Sequence, residues 1–311
     1  EVMKAAAASN LDIGAQTVEI NLAEYFVRGL GYVKKVEDIE LSVDGYDFSR
    51  PVEVSNSIPM INISGTIDDT LTLLGGITYY ISNSITISDE GSLIVNAGAR
   101  LILGYQANVH VYGKMSFLGT AERPIVLMPS DTSAQWGGID ITNVLDTCSF
   151  NHTFFIYGAS DLGKISGHSK SQPILDTENA IVKLNNCYML DNVGKGVMAK
   201  FSRFLVTDCV FSRIDTGTEF EFSYSQVRDS WYVDLPDSDR DIIDNDNDGL
   251  YFEGVLSPED PPSLVDGCVV YGTEDDGIDT SAADLIVRNS SFSKNYEKGI
   301  SAGWRSSILV E

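Results

Sequence analysis

Two short stretches hold the residues best able to do chemistry: "DNDNDG", Asp244 to Gly249, and "EDDGID", Glu274 to Asp279. Asp-x-Asp-x-Asp-Gly is how calcium loops place oxygen donors at alternate positions around a tight turn. This stretch departs from the helix-flanked version, because its twelfth position is Val255 instead of Glu and β-type sequence follows. Clustered carboxylates can hold a cation, act as an acid–base pair, or simply face water. The neighbours that the fold supplies decide between these.

The whole chain is acidic. It has 311 residues, and 21 Lys+Arg against 45 Asp+Glu give a net charge of -24. Such a field repels nucleic acid and anionic membranes and favours cations, so neither nucleic-acid binding nor a membrane span is expected. No apolar run has the length needed to cross a bilayer. The three histidines, His110, His152 and His168, are scattered. A zinc or iron site built on imidazoles is therefore not expected, and a metal here should be one that takes oxygen ligands, namely Ca2+.

The elements that must carry these acids follow from an internal repeat. From Gly194 onward "KGVMAK", "TGTEFEF", "DGLYFEG", "DGIDTSA" and "KGISAGW" align on Gly196, Gly217, Gly249, Gly277 and Gly299. A second anchor follows the first four, in "VTDCVF", "VRDSWY", "VDGCVV" and "VRNSSF". The spacing is kept except for two inserts, near "SPEDPP" and "DLPDSDRDII", which enter at different corners. Units of about 22 residues, rich in Val, Ile, Phe and Thr with short alternating runs, read as strands of a solenoid. Leucine-rich repeats need a Leu-x-x-Leu-x-Leu pattern that is absent here. The expected fold is all-β: a right-handed parallel β-helix over 56–311, incomplete at its C-terminal end and part of a longer multidomain chain. A cap or linker is expected over 1–55, where "AEYFVRGLGYVKKV" has helical character.

Residues 78–128 repeat more loosely, with turns at Gly91, Gly98, Gly104, Gly113 and Gly119. The "GT-x-x-x-PI" at Gly119 to Ile125 and the "WGGI" at Trp136 to Ile139 resemble β-helix repeats of the pectate-lyase-like superfamily. The resemblance covers roughly residues 60 to 311. It implies the fold more than the activity, since that superfamily spans lyases, hydrolases, adhesins and inert surface repeats. In its lyases, calcium neutralises a uronate carboxylate while a Lys or Arg removes the adjacent proton.

Rung alignment turns sequence into neighbours. Cys187, Cys209 and Cys268 share one repeat position with Ser230 and Ser290, and Cys148 in "LDTCSF" has a like context. All four are expected as free thiols in one inward column. After each anchor glycine, alternate positions should point inward. The others then form outward columns: Met198, Glu219, Tyr251, Asp279 and Ser301, and next to it Lys200, Glu221, Glu253, Ser281 and Gly303. Asp248 should stack on Asp276, with Asp275 and Asp279 beside them. Two carboxylates about 5 Å apart at an effective dielectric near 20 repel by roughly 3 kcal/mol, so a cluster of four needs protons or a cation.

The expected metal set is Asp244, Asp246, Asp248, Glu253, Asp275, Asp276 and Asp279. If the protein were a lyase, Lys298 would be its base, although neighbouring acids favour the charged ammonium. An acid–base glycoside hydrolase using Asp248, Asp275 and Asp276 stays open as well. The reading favoured on balance is a non-catalytic, calcium-stabilised scaffold or binding module, extracellular or on a bacterial cell surface. Carbohydrate or a cell-surface glycan is its expected partner, with Tyr251, Tyr271, Trp231 and Trp304 as stacking platforms.

Overall fold

The computed structural model describes residues 41–43, 46–48, 60–236 and 246–311. Residues 60–236 and 246–311 form a right-handed parallel β-helix. Each rung gives one strand to each of three parallel sheets. Sheet one has nine strands, from Thr66–Ile67 to Ile278–Ser281. Sheet two has ten, from Thr70–Leu73 to Ser307–Val310, and sheet three has ten, from Met60–Asn62 to Ser291–Ser293. Most of the expected cap or linker lies outside the described residues, the helical-looking segment included. Within it, Leu41–Val43 and Tyr46–Phe48 pair antiparallel. Among the described residues no helix is long and apolar enough to cross a membrane.

The glycine anchors stack as the repeat requires. Each donates its N–H to the residue before the next rung's anchor: Gly217 to Asp248 at 3.1 Å, and Gly249 to Asp276 at 3.0 Å. A side chain cannot replace the hydrogen here. A Cβ on Gly217 would sit 2.1 Å from the Gly249 carbonyl oxygen and 2.4 Å from the Tyr232 ring. Inward positions then build the core: Val197, Leu250, Ile278, Phe220 and Phe252 are all buried. The rings of Phe220 and Phe252 lie 5.3 Å apart, and Phe211 stacks on Tyr232 at 4.6 Å. Burying one such side chain contributes about 1.5–3 kcal/mol.

Rungs turn at residues held at positive φ. At the corner between sheets two and three these include Gly76, Gly98, His152, Asn186, Asp208, Asp229, Gly267 and Asn289. Asn, Asp and Gly dominate because they tolerate the left-handed region. Just beyond lies the small-residue column: Thr153, Cys187, Cys209, Ser230, Cys268 and Ser290. It is a hydrogen-bonded ladder, in which Cys209 N–H donates to Ser230 Oγ and Cys268 N–H to Ser290 Oγ, both at 3.1 Å. The four thiols are free and buried, and burial pushes Cys268 up to about 11. One expectation needs correcting: Cys148 is not in this column. It sits inside a sheet-two strand, Thr147–Asn151, in register with Val182, and Thr153 takes the ladder place. "LDTCSF" matches the ladder segments in residue type but not in register.

The insert at "SPEDPP" leaves the helix between sheets one and two, and its Asp260 receives a two-pronged contact from Arg203 at 2.9 and 3.0 Å. A further excursion, residues 157–172, leaves between Thr153–Ile156 and Pro173–Glu178 and crosses the outer face of sheet one. It positions the site.

Candidate functional site

Sheet one's outer face carries a register column: His110, Asp140, Asp176, Met198, Glu219, Tyr251 and Asp279. The expectation that this column faces water fails in its middle. Met198, Glu219 and Tyr251 are buried, because the excursion lies over them. Gly167, at φ +73°, permits the close approach, since a Cβ there would fall 1.9 Å from Glu219 Oε2.

Glu219 is fully enclosed, so its charge needs complete compensation. Lys195 Nζ donates to its Oε1 at 2.6 Å and to the Ser166 carbonyl at 2.7 Å. The backbone N–H of His168 donates to Oε2 at 2.8 Å, and that of Ser169 to Oε1 at 3.0 Å. Burial favours the protonated acid, yet Lys195 and these donors outweigh it and hold Glu219 below its ordinary range. Glu219 is thus an anchor for the excursion and not a member of an open outward column.

The anchored backbone presents the His168 ring. It stacks on Tyr251 at 4.2 Å with the planes 6° apart, and its Nε2 meets Asp246 Oδ2. That contact holds His168 above the usual imidazole range against the effect of burial. The scattering of histidines along the chain therefore did not keep imidazole away from the acids: the fold returns His168 to them.

Asp248 is stacked on Asp276, as the register demanded. Its Oδ1 accepts the Asp276 N–H at 3.1 Å, and its Oδ2 is buried with no hydrogen-bond partner among the described residues. Burial, then the charges of Asp246, Asp279 and Asp275, push Asp248 up to about 10. Asp276 accepts the Lys298 N–H at 2.8 Å and lies 3.4 Å from its ammonium. Burial and contact with Asp246 push Asp275 up to about 7. Asp279 is raised too, by burial, against hydrogen bonds from Ser301 and Thr280.

Among the described residues two donor groups emerge, each with ligand atoms mutually within 4.8 Å: His168, Asp246 and Asp248, and Asp248, Asp275 and Asp276. Asp248 belongs to both. Glu253 belongs to neither, because it stacks with Glu221 and Ser281 one column along. Asp244 lies outside the described residues.

The four aromatic candidates separate. Tyr251 is buried beneath His168 and presents no open platform. Trp231 is exposed on sheet three, and Tyr271 lies diagonal to it on the next rung, with the Lys294 ammonium 5.1 Å above its ring. Trp304 is exposed and covered on one face by Arg305 at 4.1 Å. Sequence reasoning did not single out His168 or the Lys195–Glu219 pair. One signal was present: Thr153 to Ile174 spans 21 residues, where the matching Cys187 to Gly196 spans 9.

Comparison with protein-family models, with curated proteins and with solved structures returns no match.

Proposed function

We propose that this protein is a calcium-stabilised β-helix scaffold that binds carbohydrate, working outside the cell or on a bacterial surface. The observation carrying the reading is Asp248: a fully buried carboxylate oxygen without a hydrogen-bond partner among the described residues, set among four other acids. At neutral pH that group must hold either a proton or a cation. Asp248, Asp275 and Asp276 offer oxygen donors only, which fits calcium. An extracellular setting supplies calcium at the millimolar level that modest sites require. The "GT-x-x-x-PI" and "WGGI" segments relate the chain, in this reading, to the pectate-lyase-like superfamily. Sugar stacking falls to Trp231 and Tyr271, which share the outer face of sheet three.

The lyase alternative asks Lys298 to lose a proton. Its contacts with Glu297 at 3.0 Å and Asp276 at 3.4 Å raise its pKa instead. It is held as an ammonium, the wrong form for a base.

The deciding experiment pairs a melting curve with a product assay. Chelation should lower the melting temperature and calcium restore it, with the response weakened in Asp276→Ala. Neutral oligosaccharides should quench tryptophan fluorescence in the wild type and not in Trp231→Ala. Polygalacturonate, alginate and chondroitin sulfate should yield no unsaturated products. Calcium-dependent release of such products, abolished by Lys298→Ala, would replace the scaffold reading with the lyase one.

A further inference from the structure

The two donor groups sharing Asp248 differ in chemistry. One offers carboxylates alone. The other includes an imidazole, and hard cations such as calcium select oxygen, whereas imidazole suits zinc and its d-block neighbours. His168 is held for the purpose from three sides. Its backbone is tied to the buried Glu219, its ring is stacked on Tyr251, and its Nε2 points at the Asp246 carboxylate. A ligand so positioned loses little freedom on binding a metal.

We propose that His168, Asp246 and Asp248 form a second cation site, selective for a d-block divalent ion of the zinc or manganese kind. It lies beside the carboxylate group Asp248, Asp275 and Asp276, where calcium is placed by the reading above, and it rests on that reading only through the shared Asp248. The observation behind it is the Asp248 side chain, fully buried, with one oxygen lacking any hydrogen-bond partner among the described residues, the same group that carries the calcium reading. Three protein ligands leave a fourth tetrahedral position open. An ion here would also clasp the excursion to the acidic turn, joining segments 78 residues apart at His168 and Asp246.

The equivalent upstream grouping shows why the site is specific. His110 Nδ1 contacts Asp140 Oδ2 at 2.9 Å, but the Lys164 ammonium takes the same oxygen at 3.1 Å. A resident cation already occupies that place, so His110 serves as the internal control.

The test uses the full chain stripped with a chelator. Zinc is titrated while the three imidazoles are followed by histidine-selective NMR in the wild type, a readout that needs no variant to fold. The His168 resonances should shift saturably and those of His110 and His152 should not. Zinc affinity, measured by calorimetry, should fall at least about tenfold in both His168→Ala and His168→Gln. It should stay unchanged in His110→Ala. Calcium stabilisation should persist in the His168 variants and weaken in Asp276→Ala. Unperturbed His168 resonances, or zinc affinity indifferent to both His168 variants, would overturn the proposal and leave the calcium reading standing. Zinc binding through His168 with no calcium response would do the reverse.

Discussion

Along the outer face of sheet one, the upstream acids are mostly matched one to one by basic side chains, whereas the downstream acids outnumber the two that reach them. Asp140 is held by His110 and Lys164, Glu219 by Lys195, and Glu221 by Lys200 at 3.2 Å. Asp176 is the partial exception, pushed up to about 6 by burial and the Asp140 charge. Downstream, Asp246, Asp248, Asp275, Asp276 and Asp279 crowd together with His168 and Lys298, and Lys298 is half-exposed. Both regions use the same repeat positions: Lys195 stands one residue before its anchor glycine, as do Asp248 and Asp276. The fold therefore tolerates a charge at that position in either sign. What differs is whether side chains of the chain supply enough counter-charge; downstream, in the proposed reading, the remainder falls to an ion.

The largest effect expected from breaking this contrast lies upstream. Lys195→Ala leaves Glu219 enclosed without its ammonium and should cost about 3–5 kcal/mol in urea unfolding. The double change Lys195→Met with Glu219→Leu should recover most of that loss, because a buried pair is weak in net terms while a half-pair is costly. A double variant as unstable as the single one would show that Glu219 acts mainly by anchoring residues 168 and 169.

The next effect is downstream and reads out in pH. Asp248, at about 10, and Asp275, at about 7, lie above the ordinary carboxylate value, so between pH 5 and 8 the native state binds more protons than the unfolded one. His168, also raised, contributes stability that is lost as pH rises through its native pKa. The signs agree. Chelated protein should lose stability from pH 5 to 8, by up to about 1.4 kcal/mol per pH unit for each extra proton held. Calcium should flatten the slope by taking the proton's place, and Asp248→Asn should flatten it without calcium. A chelated protein whose melting temperature rises over this range would place the controlling groups elsewhere.

The smallest effect tests the exposed side of the matched region. Lys200 and Glu221 pair in a partly exposed setting, where water still reaches the ammonium. Lys200→Ala should change stability by less than about 1 kcal/mol. A larger loss in the same urea series would mean that Lys200 also supports Asp176.

How much of this was legible in the residues alone follows from the kind of signal each feature leaves. The glycine anchors and two-residue alternation specify the rungs, because a slip of one residue would turn every core side chain outward. That register is enough to put Asp248 on Asp276 and Cys209 over Ser230, with no knowledge of side-chain contacts. It misplaced Cys148, whose likeness to the ladder segments is local and lacks register. Alternation also marks a position as outward without saying whether water reaches it. Residues 157–172 carry no repeat, so their path across Glu219 and Tyr251 is set by Lys195, Gly167 and ring stacking, which only the folded chain brings together. The acids and their stacking were thus determined by the sequence. The imidazole among them, and the burial that makes Asp248 need a proton or an ion, were decided by tertiary structure.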